Sequence, residues 1–434
     1  SPIVALPHPA LRWAGWLSLV AVWGYQLTLA RLSAYASARW RLEAEAVHPR
    51  GDQAPSPPKA RPPVVLSGFF GAGNAGDEAI LAAVLNQLRQ RGYHDITVFS
   101  TRPAETARTH GVRAVYRGWR RDLWAKARAL GRAGVFISGG GGLLQDPSRT
   151  FLLRGPVPYY LLIATWARLA GCWVLFLGHG VGPLRGRWAR FLTRWLASQA
   201  DVITTRDEGS LQVLEQVGVR RPVRETLADF VFSLPRAPAS ATEKTERDGR
   251  LIAVSVRSWP GQDRFFPELA AFLGHVLATR PDAEVVLVPM EGEPDRRASE
   301  ELAALIAGAD SGRLQILPPH LSPAELEAAV ARSWLAVGMR LHFLIFAVRA
   351  GVPVLALNYD PKVAGVLGRL GLDRYVYDLE TVTAKDLEAG LEAVEAGYDD
   401  LRRQITEATR PMAALASAHL DYADAASRRW SGEL

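Results

Sequence analysis

Cysteine is almost absent from this chain of 434 residues. Its single cysteine, Cys172, lies in an apolar run, so no internal disulfide can form. We interpret Cys172 as a buried thiol in a protein that works in a reducing compartment. Short sequence repeats are also lacking, which argues against solenoids and propellers.

The chain also lacks a strong charge imbalance beyond its first residues. Its formal net charge is +7, and residues 1–62 supply +4 of this because they hold seven Lys/Arg and three Asp/Glu. The remainder is nearly balanced, which argues against a nucleic-acid partner. Hydrophobic residues make up 48% of the chain. At this length they are enough for two sizeable cores.

A long apolar segment occurs near the amino terminus. Trp13 to Ala30 are 18 uncharged residues, or about 27 Å of helix against a hydrocarbon core of about 30 Å. Arg31, Arg39 and Arg41 follow it, which favours placing the rest of the chain at the cytoplasmic face of the membrane. We predict a membrane helix here, with an interfacial helix or an ordinary packing helix as alternatives. The proline-rich stretch after it predicts a linker.

From Val64 onward, apolar runs alternate with helical patterns, which is typical of parallel sheets covered by helices. The predicted strands are 64–67, 96–100, 135–138, 173–177 and 202–205, then 252–256, 285–288, 335–338, 354–357 and 375–377. A polar, proline-containing stretch separates the two series. The pattern therefore predicts an α/β protein of two Rossmann-like domains, with a cleft between facing strand ends.

The predicted boundaries follow from these patterns. Residues 1–62 carry the hydrophobic helix and the proline-rich linker, 63–235 form the first domain, 236–250 the interdomain linker and 251–400 the second domain. A last helix within 401–434 is expected to pack back on the first domain.

The first predicted strand leads into a glycine-rich turn, Gly71 to Gly76, which is followed by Asp77. Its glycines fit the dinucleotide pattern G-x-G-x-x-G, and the backbone N–H groups of such turns bind anions or polar ligands. A dinucleotide is nevertheless disfavoured, because Asp77 places a carboxylate where the pyrophosphate would lie and no acid ends the next strand. We interpret Asp77 as a polar residue facing the cleft; the alternative is that it only caps its helix.

Two more glycine-rich segments follow predicted strands, at Ser138 to Gly142 and Gly178 to Pro183. Both would let the backbone approach a ligand closely. Arg206 comes directly after the strand 202–205. We predict that its guanidinium binds a phosphate or carboxylate in the cleft; a surface ion pair with Asp207 is the alternative.

Two strands of the second series are followed by cations and a histidine. Arg340 and His342 follow the strand 335–338, and Lys362 follows the strand 354–357. The chain has 46 Arg and five Lys, so a lysine at a strand end indicates that a compact ammonium is needed there. His342 is a candidate acid or base, with a buried core histidine as the alternative.

Taken together, these motifs resemble the polysaccharide pyruvyl transferase family, in its bacterial cell-wall (CsaB-type) branch. The motifs are Gly68-Phe-Phe-Gly-x-Gly-Asn-x-Gly-Asp-Glu-Ala, Ser-Gly-Gly-Gly-Gly-Leu-Leu-Gln-Asp146, Gly-His-Gly-Val-Gly-Pro183, Thr-Arg206-Asp-Glu, Met-Arg-Leu-His342 and Tyr-Asp-Pro-Lys362-Val. The resemblance covers about residues 64–400 and not the first 60. It departs from the family at His179, where glutamine is more usual.

The resemblance implies a GT-B-like fold and the transfer of pyruvate from phosphoenolpyruvate, as co-substrate, to a sugar, with no cofactor and no metal. In that branch the acceptor is typically N-acetylmannosamine in a lipid-linked cell-wall disaccharide. The product is a 4,6-linked ketal that surface-layer proteins recognise. The expected partners are therefore phosphoenolpyruvate, a lipid-linked glycan and a membrane surface.

Each part of that reaction has candidate residues. Phosphoenolpyruvate carries two acidic groups, so we predict that Arg206, Arg340 and Lys362 bind it. Ketal formation needs an acid and a base, and we predict His342 and Asp77, in either assignment. The predicted acceptor-binding residues are Gly73, Asn74, Gly76, Gly140, Gly141, His179 and Gly180. Two other functions stay open: a nucleotide-sugar glycosyltransferase and a non-catalytic, membrane-associated sugar-phosphate binding module.

Overall fold

The computed structural model of the protein describes residues 61–118, 121–146, 156–220, 223–235, 250–307 and 312–432. The predicted membrane helix lies outside the described residues, as do most of the proline-rich stretch and most of the linker 236–250. No helix within the described ranges is long and apolar enough to cross a membrane.

The first domain is built on a sheet of seven parallel strands. They are β1 (Val64–Ser67), β2 (Ile96–Ser100), β3 (Arg113–Tyr116), β4 (Val135–Leu144), β5 (Trp173–Val181), β6 (Val202–Thr205) and β7 (Val223–Thr226). Their spatial order is β3-β2-β1-β4-β5-β6-β7. The order reverses between β1 and β4, and the crevice outside the strand ends at such a reversal is where ligands bind.

Helices cover both faces of this sheet. They are α1 (Ala75–Gln90), α2 (Pro103–His110), α3 (Leu123–Arg132), α4 (Pro156–Leu169), α5 (Arg187–Gln199) and α6 (Glu208–Gln216). Leu66 of β1 packs in the same apolar cluster as α1, whereas its neighbour Val65 packs with α3, α4 and α5. Since side chains alternate along a strand, adjacent residues of β1 serve opposite layers.

The second domain repeats this arrangement on a sheet of six parallel strands. They are β8 (Arg250–Ser255), β9 (Ala283–Leu287), β10 (Leu314–Ile316), β11 (Leu335–Gly338), β12 (Val354–Asn358) and β13 (Val376–Asp378), in the order β10-β9-β8-β11-β12-β13. Its helices are α7 (Gln262–Thr279), α8 (Gly292–Ala303), α9 (Pro323–Ala331), α10 (Leu341–Arg349), α11 (Pro361–Gly368) and α12 (Ala384–Ala396). Here the order reverses between β8 and β11.

Two further helices, α13 (Tyr398–Ala418) and α14 (Asp421–Trp430), return the chain to the first domain. Tyr93 of the first domain donates from its hydroxyl to Asp424 of α14 at 3.0 Å. His419, fully buried, donates from Nε2 to the carbonyl of Ala228 at 2.7 Å and accepts at Nδ1 from the Thr204 hydroxyl at 2.6 Å. The end of the chain thus ties the two domains together.

The domains also touch directly at the cleft. Ala75, the first residue of α1, donates its N–H to the carbonyl of Met290 at 2.8 Å. Arg349 of α10 is buried and donates to the carbonyls of Val231 and Leu234, the latter at 3.0 Å. One apolar cluster runs through both domains. The strand ends of the two sheets are therefore held face to face.

Candidate active site

The glycine-rich turn delivers the start of α1 to the cleft. Asn74 is the N-cap of this helix, and its side chain accepts from the N–H groups of Gly76 at 3.0 Å and Asp77 at 3.3 Å. Glu78 fixes the turn from the other side, because its carboxylate accepts from the Gly71 N–H at 2.6 Å. Asn74, and not Asp77, therefore caps the helix. The carboxylate of Asp77 is not needed for capping and can serve in the cleft.

Two glycines, one at this turn and one in β4, allow the two domains to meet. A Cβ atom added at Gly76 would overlap Nδ1 of His342, which is carried by α10 of the second domain. A Cβ atom at Gly141, whose φ is +82°, would lie 2.7 Å from Oδ1 of Asp77. Any larger residue at either place would push the imidazole or the carboxylate away.

His342 faces a second carboxylate through its other ring nitrogen. Its Nε2 lies 3.5 Å from Oδ2 of Asp229, a buried residue that follows β7. Asp229 also accepts from Arg206 Nη1 at 3.0 Å and from the Val231 N–H at 3.0 Å. Burial works against the ionised form of Asp229, but His342 and Arg206 hold the pKa of its carboxyl well below the usual range.

The pKa of Asp77 is shifted in the opposite direction to that of Asp229. Burial raises its pKa from 3.8 to about 6, against the attraction of His342 and Arg206. A carboxyl group whose pKa lies near neutral can exchange a proton with a substrate at little cost. The site therefore holds two carboxylates in different states, which is the usual basis for distinct acid and base roles.

Arg206 is buried rather than part of a surface ion pair. Its nearest carboxylate is Asp229, whereas Asp207 lies 3.8 Å away and serves as the N-cap of α6. A Cβ atom at Gly180 would come within 2.8 Å of Arg206 Nη2, so that glycine makes room for the guanidinium. The surface alternative for Arg206 is wrong.

The glycine-rich segments differ from the predicted turns. They belong to β4 and β5, which continue to Leu144 and Val181 with shifts of register beside Gly141 and His179. His179 is completely buried, and its Nε2 donates to the Ser138 carbonyl at 3.0 Å. Burial lowers its pKa to about 4, so it is neutral at neutral pH. Its Nδ1 has no hydrogen-bond partner within the described part of the chain.

Arg340 is already neutralised within its own domain. Its Nε donates to Asp295 at 2.8 Å and its Nη2 donates to Glu291 at 2.6 Å. Burial opposes the charge, but these two carboxylates raise the pKa of Arg340. These ion pairs hold the Arg340 side chain in place beside the site. A donor contact for it stays a prediction.

Lys362 and a cation that the sequence analysis missed share one aromatic ring. Lys362 Nζ lies 2.8 Å from Asp360 and 5.4 Å from the ring centre of Tyr359. Arg257, just after β8, lies with its guanidinium carbon 5.9 Å from the same ring and 5.7 Å from that of Trp259. Its Nε is buried without a hydrogen-bond partner, and no ion pair is found for it among the described residues.

The predicted site residues thus fall into two groups. Asp77, His342 and Arg206 meet in one network that also contains Asp229, with the glycines at 76, 141 and 180 packed around it. Arg340 and Lys362 line the ends of the strands of the second domain. Within the ranges described, no group of three or more His, Cys, Asp or Glu is arranged to hold a metal ion.

The sequence analysis also did not single out the carboxylate of Glu78. Burial raises its pKa to about 7, although the hydrogen bond from Gly71 lowers it. It neighbours Asp77 in the same Gly-Asp-Glu motif, so the motif itself was the signal that could have identified it.

Comparisons with known proteins agree with this architecture. The family model described as "Polysaccharide pyruvyl transferase" matches residues 74–361. The amylovoran biosynthesis protein AmsJ of Erwinia amylovora is 23% identical over 273 residues, which are 59% of this chain and 65% of AmsJ. The chain thus spans about 65% of the length of that relative.

Solved structures share the fold at low identity. MnaA of S. aureus, solved with UDP, superposes with a TM-score of 0.57 at 13% identity, over 82% of this chain and 94% of MnaA. HepE of Anabaena, in complex with UDP, gives a TM-score of 0.55 at 13% identity, over 86% of this chain and 99% of HepE. Such identities show the fold alone, which is GT-B-like, as predicted.

Proposed function

Because the chain belongs to the polysaccharide pyruvyl transferase family, we propose that it transfers pyruvate from phosphoenolpyruvate to two hydroxyl groups of a sugar and releases phosphate. The strongest structural support is the meeting of Asp77 and His342 between the two domains, within one network with Arg206 and Asp229. A reaction that needs an acid, a base and cations fits this set of groups.

The reaction converts an enol phosphate into a ketal. A proton is added to the methylene carbon of phosphoenolpyruvate, and a sugar oxygen attacks the carbon that carries the phosphate. Phosphate then leaves with the electrons of its C–O bond, and a second sugar oxygen closes the ring on the same carbon. Of the two hydroxyl protons released, one balances the proton taken up by carbon and the other leaves with phosphate.

We assign the acid to His342 and the base to Asp77. The carboxylate of Asp229 lies 3.5 Å from Nε2 of the imidazole, and Asp77 interacts with His342 electrostatically. Both carboxylates would stabilise the positive charge of an imidazolium that delivers a proton. Asp77, whose pKa of about 6 is close to neutral, would accept the proton of the attacking hydroxyl. Asp229 then orients His342 and does not itself react.

The donor phosphate needs a cation that is not already neutralised. Arg206 and Arg340 are paired with buried carboxylates, whereas Arg257 has no ion pair within the described ranges. Arg257 also borders the crevice between β8 and β11, where ligands of such sheets bind. We therefore assign the phosphate to Arg257, and one charge-assisted contact would contribute about 1.5 to 3 kcal/mol. Lys362 is paired with Asp360, and its donor contact stays a prediction.

The acceptor would lie against the first domain. We place it beside Asp77 and the glycine-rich segments, and the proposed sugar is N-acetylmannosamine in a lipid-linked cell-wall precursor. An acceptor of this kind would place the enzyme at the cytoplasmic face of the membrane. Phosphoenolpyruvate is a co-substrate here, and the proposed reaction requires no separate cofactor.

Mass spectrometry of the acceptor tests this function directly. Full-length protein would be incubated with a lipid-linked disaccharide ending in N-acetylmannosamine and with phosphoenolpyruvate. We expect the disaccharide to gain one pyruvate, with an equal amount of phosphate released. A parallel incubation with UDP-sugars tests the glycosyltransferase alternative. Addition of a sugar from UDP-sugar, with no pyruvate from phosphoenolpyruvate, would refute the proposal.

A further inference from the structure

The outward face of α5 consists only of cations and aromatic rings. Its exposed residues are Arg187, Trp188, Arg190, Phe191 and Arg194. Trp188 and Phe191 are 49% and 53% exposed. The opposite side of the helix is mostly apolar and packs Leu192, Leu196 and Ala197 in the core of the first domain. The helix therefore has an ordinary inner face and an unusual outer one.

The aromatic rings of α5 form a continuous row. Trp188 and Phe191 meet edge to face with ring centres 5.8 Å apart, and Phe191 and Trp195 follow at 6.2 Å. Single exposed aromatic residues are common on protein surfaces and need no explanation. A row of three rings in mutual contact, two of them about half exposed, forms a contiguous apolar surface that calls for a partner.

The charges around this row all have one sign. Residues 184–199 include four arginines and no Asp or Glu. None of the four forms an ion pair with another described residue; Arg190 donates to the carbonyl of Gln216 at 3.2 Å. These guanidinium groups are thus free to attract an anionic surface.

The helix also begins beside the cleft. It follows the carboxyl end of β5, and the N–H of Gly186, its N-cap, donates to Asp146 just after β4 at 2.9 Å. Those strand ends form the edge of the sheet at which Asp77 and Arg206 lie. A partner bound along α5 would therefore lie next to the entrance of the site.

We propose that the outward face of α5 docks the enzyme on an anionic lipid surface. Aromatic rings flanked by Arg on one helix face are typical of helices that lie in the membrane interface, where the rings enter the headgroup region and the cations bind acidic lipids. A two-fold contact between two copies is disfavoured, because it would set Arg against Arg. The link to catalysis rests on the proposed function, since a lipid-linked acceptor is presented at this surface.

Vesicle sedimentation tests the docking face. Because residues 13–30 are themselves predicted to enter a membrane, it is done with the full chain and with a chain that begins at Arg61. The vesicles would be phosphatidylcholine alone or phosphatidylcholine with phosphatidylglycerol. We expect W188Q/F191Q to lower the partition coefficient on anionic vesicles about 10- to 100-fold. R187Q/R190Q/R194Q should remove the preference for anionic over neutral vesicles. The matched control is Trp430→Gln on α14, since Trp430 is also 49% exposed, and it should bind like wild type.

Unchanged vesicle binding of W188Q/F191Q would overturn the proposal, as would an equal loss in the Trp430 control. A change in oligomeric state on gel filtration without a change in vesicle binding would instead identify a contact between copies. The outcome is separable from the proposed function, because vesicle binding requires neither substrate. With a lipid-free disaccharide acceptor, W188Q/F191Q should transfer pyruvate like wild type, and absence of transfer in wild type would refute the function alone.

Discussion

The two domains share one strand order but build their halves of the site by different means. In the first, β4 and β5 run on through glycines with register shifts, and Gly76 and Gly141 let Asp77 and His342 come close. The pairings of the second sheet show no such shifts. It instead supplies the imidazole of His342 and the cations Arg257, Arg340 and Lys362 after regular strands. The first domain thus shapes the site and carries the proposed base, and the second carries the proposed acid and the proposed phosphate-binding cation.

The largest effect is expected at His342, the proposed acid, which the second domain supplies. His342→Gln keeps a polar side chain but removes the proposed acid, so kcat should fall about 10²- to 10⁴-fold. Steady-state kinetics of pyruvate transfer gives the effect, and thermal stabilisation by phosphoenolpyruvate should persist. His320→Gln is the control, because the His320 side chain is 70% exposed. Turnover within a factor of three of wild type would remove His342 from the mechanism.

Gly76→Ala tests how the first domain shapes the site. In Gly76→Ala the new methyl group overlaps His342 Nδ1, so the imidazole must move away. A misplacement near 1 Å should lower kcat about 10²-fold. Denaturant unfolding should show a loss of about 1 to 3 kcal/mol.

The control for Gly76 is Gly131→Ala in α3, where an added Cβ meets nothing within 4 Å. It should leave turnover unchanged and raise the free energy of unfolding by about 0.5 to 1 kcal/mol. Equal behaviour of the two alanine variants would show that the close approach at Gly76 is unimportant.

Arg257, which forms no ion pair with the described residues, tests the contribution of the second domain to donor binding. Arg257→Met should raise KM for phosphoenolpyruvate about 10- to 100-fold, because one charge-assisted contact to the phosphate is lost. KM for the acceptor should stay constant. Arg332→Met, at an exposed residue beyond the end of α9, is the matched control. If phosphoenolpyruvate saturates both variants alike, the phosphate lies elsewhere.

The smallest expected effect is on stability, at Asp77. Its pKa in the fold is about 6 against an ordinary 3.8, so ionisation there costs stability. The cost is absent below about pH 4, grows between pH 4 and 6 and is complete above pH 6. Asp77→Asn should therefore raise the free energy of unfolding by about 1 to 3 kcal/mol at pH 7 and by little at pH 4. A variant less stable than wild type at pH 7 would contradict this.

The central strands could be predicted from the sequence because they are buried on both faces and form continuous apolar runs. Three strands were missed, β3, β7 and β10, and each lies at an edge of its sheet. Their sequences, such as Val-Arg-Glu-Thr in β7, carry too few apolar residues to stand out. Edge strands have one side open to solvent, so the hydrophobic signal is weaker.

The site residues that could be predicted are likewise those that follow predicted strands. Asp77, Arg206 and His342 stand next to predicted strands and could be identified, whereas Asp229 follows the missed strand β7. The pairing of Arg340 with Asp295 joins elements 45 residues apart in sequence and depends on how helices pack. Arg257 has no motif of its own. Only its aromatic neighbours, and the lack of an ion pair with any residue that the structure describes, distinguish it.

The proposed reaction requires Asp77 and His342 to act together across the cleft. A double-mutant cycle of Asp77→Asn and His342→Gln, measured as single-turnover rates of pyruvate transfer from phosphoenolpyruvate, tests this most directly. Groups that act as a unit give non-additive losses, so the double variant should be about as slow as the slower single variant. Losses that multiply would mean that the two groups act independently, and would contradict the account.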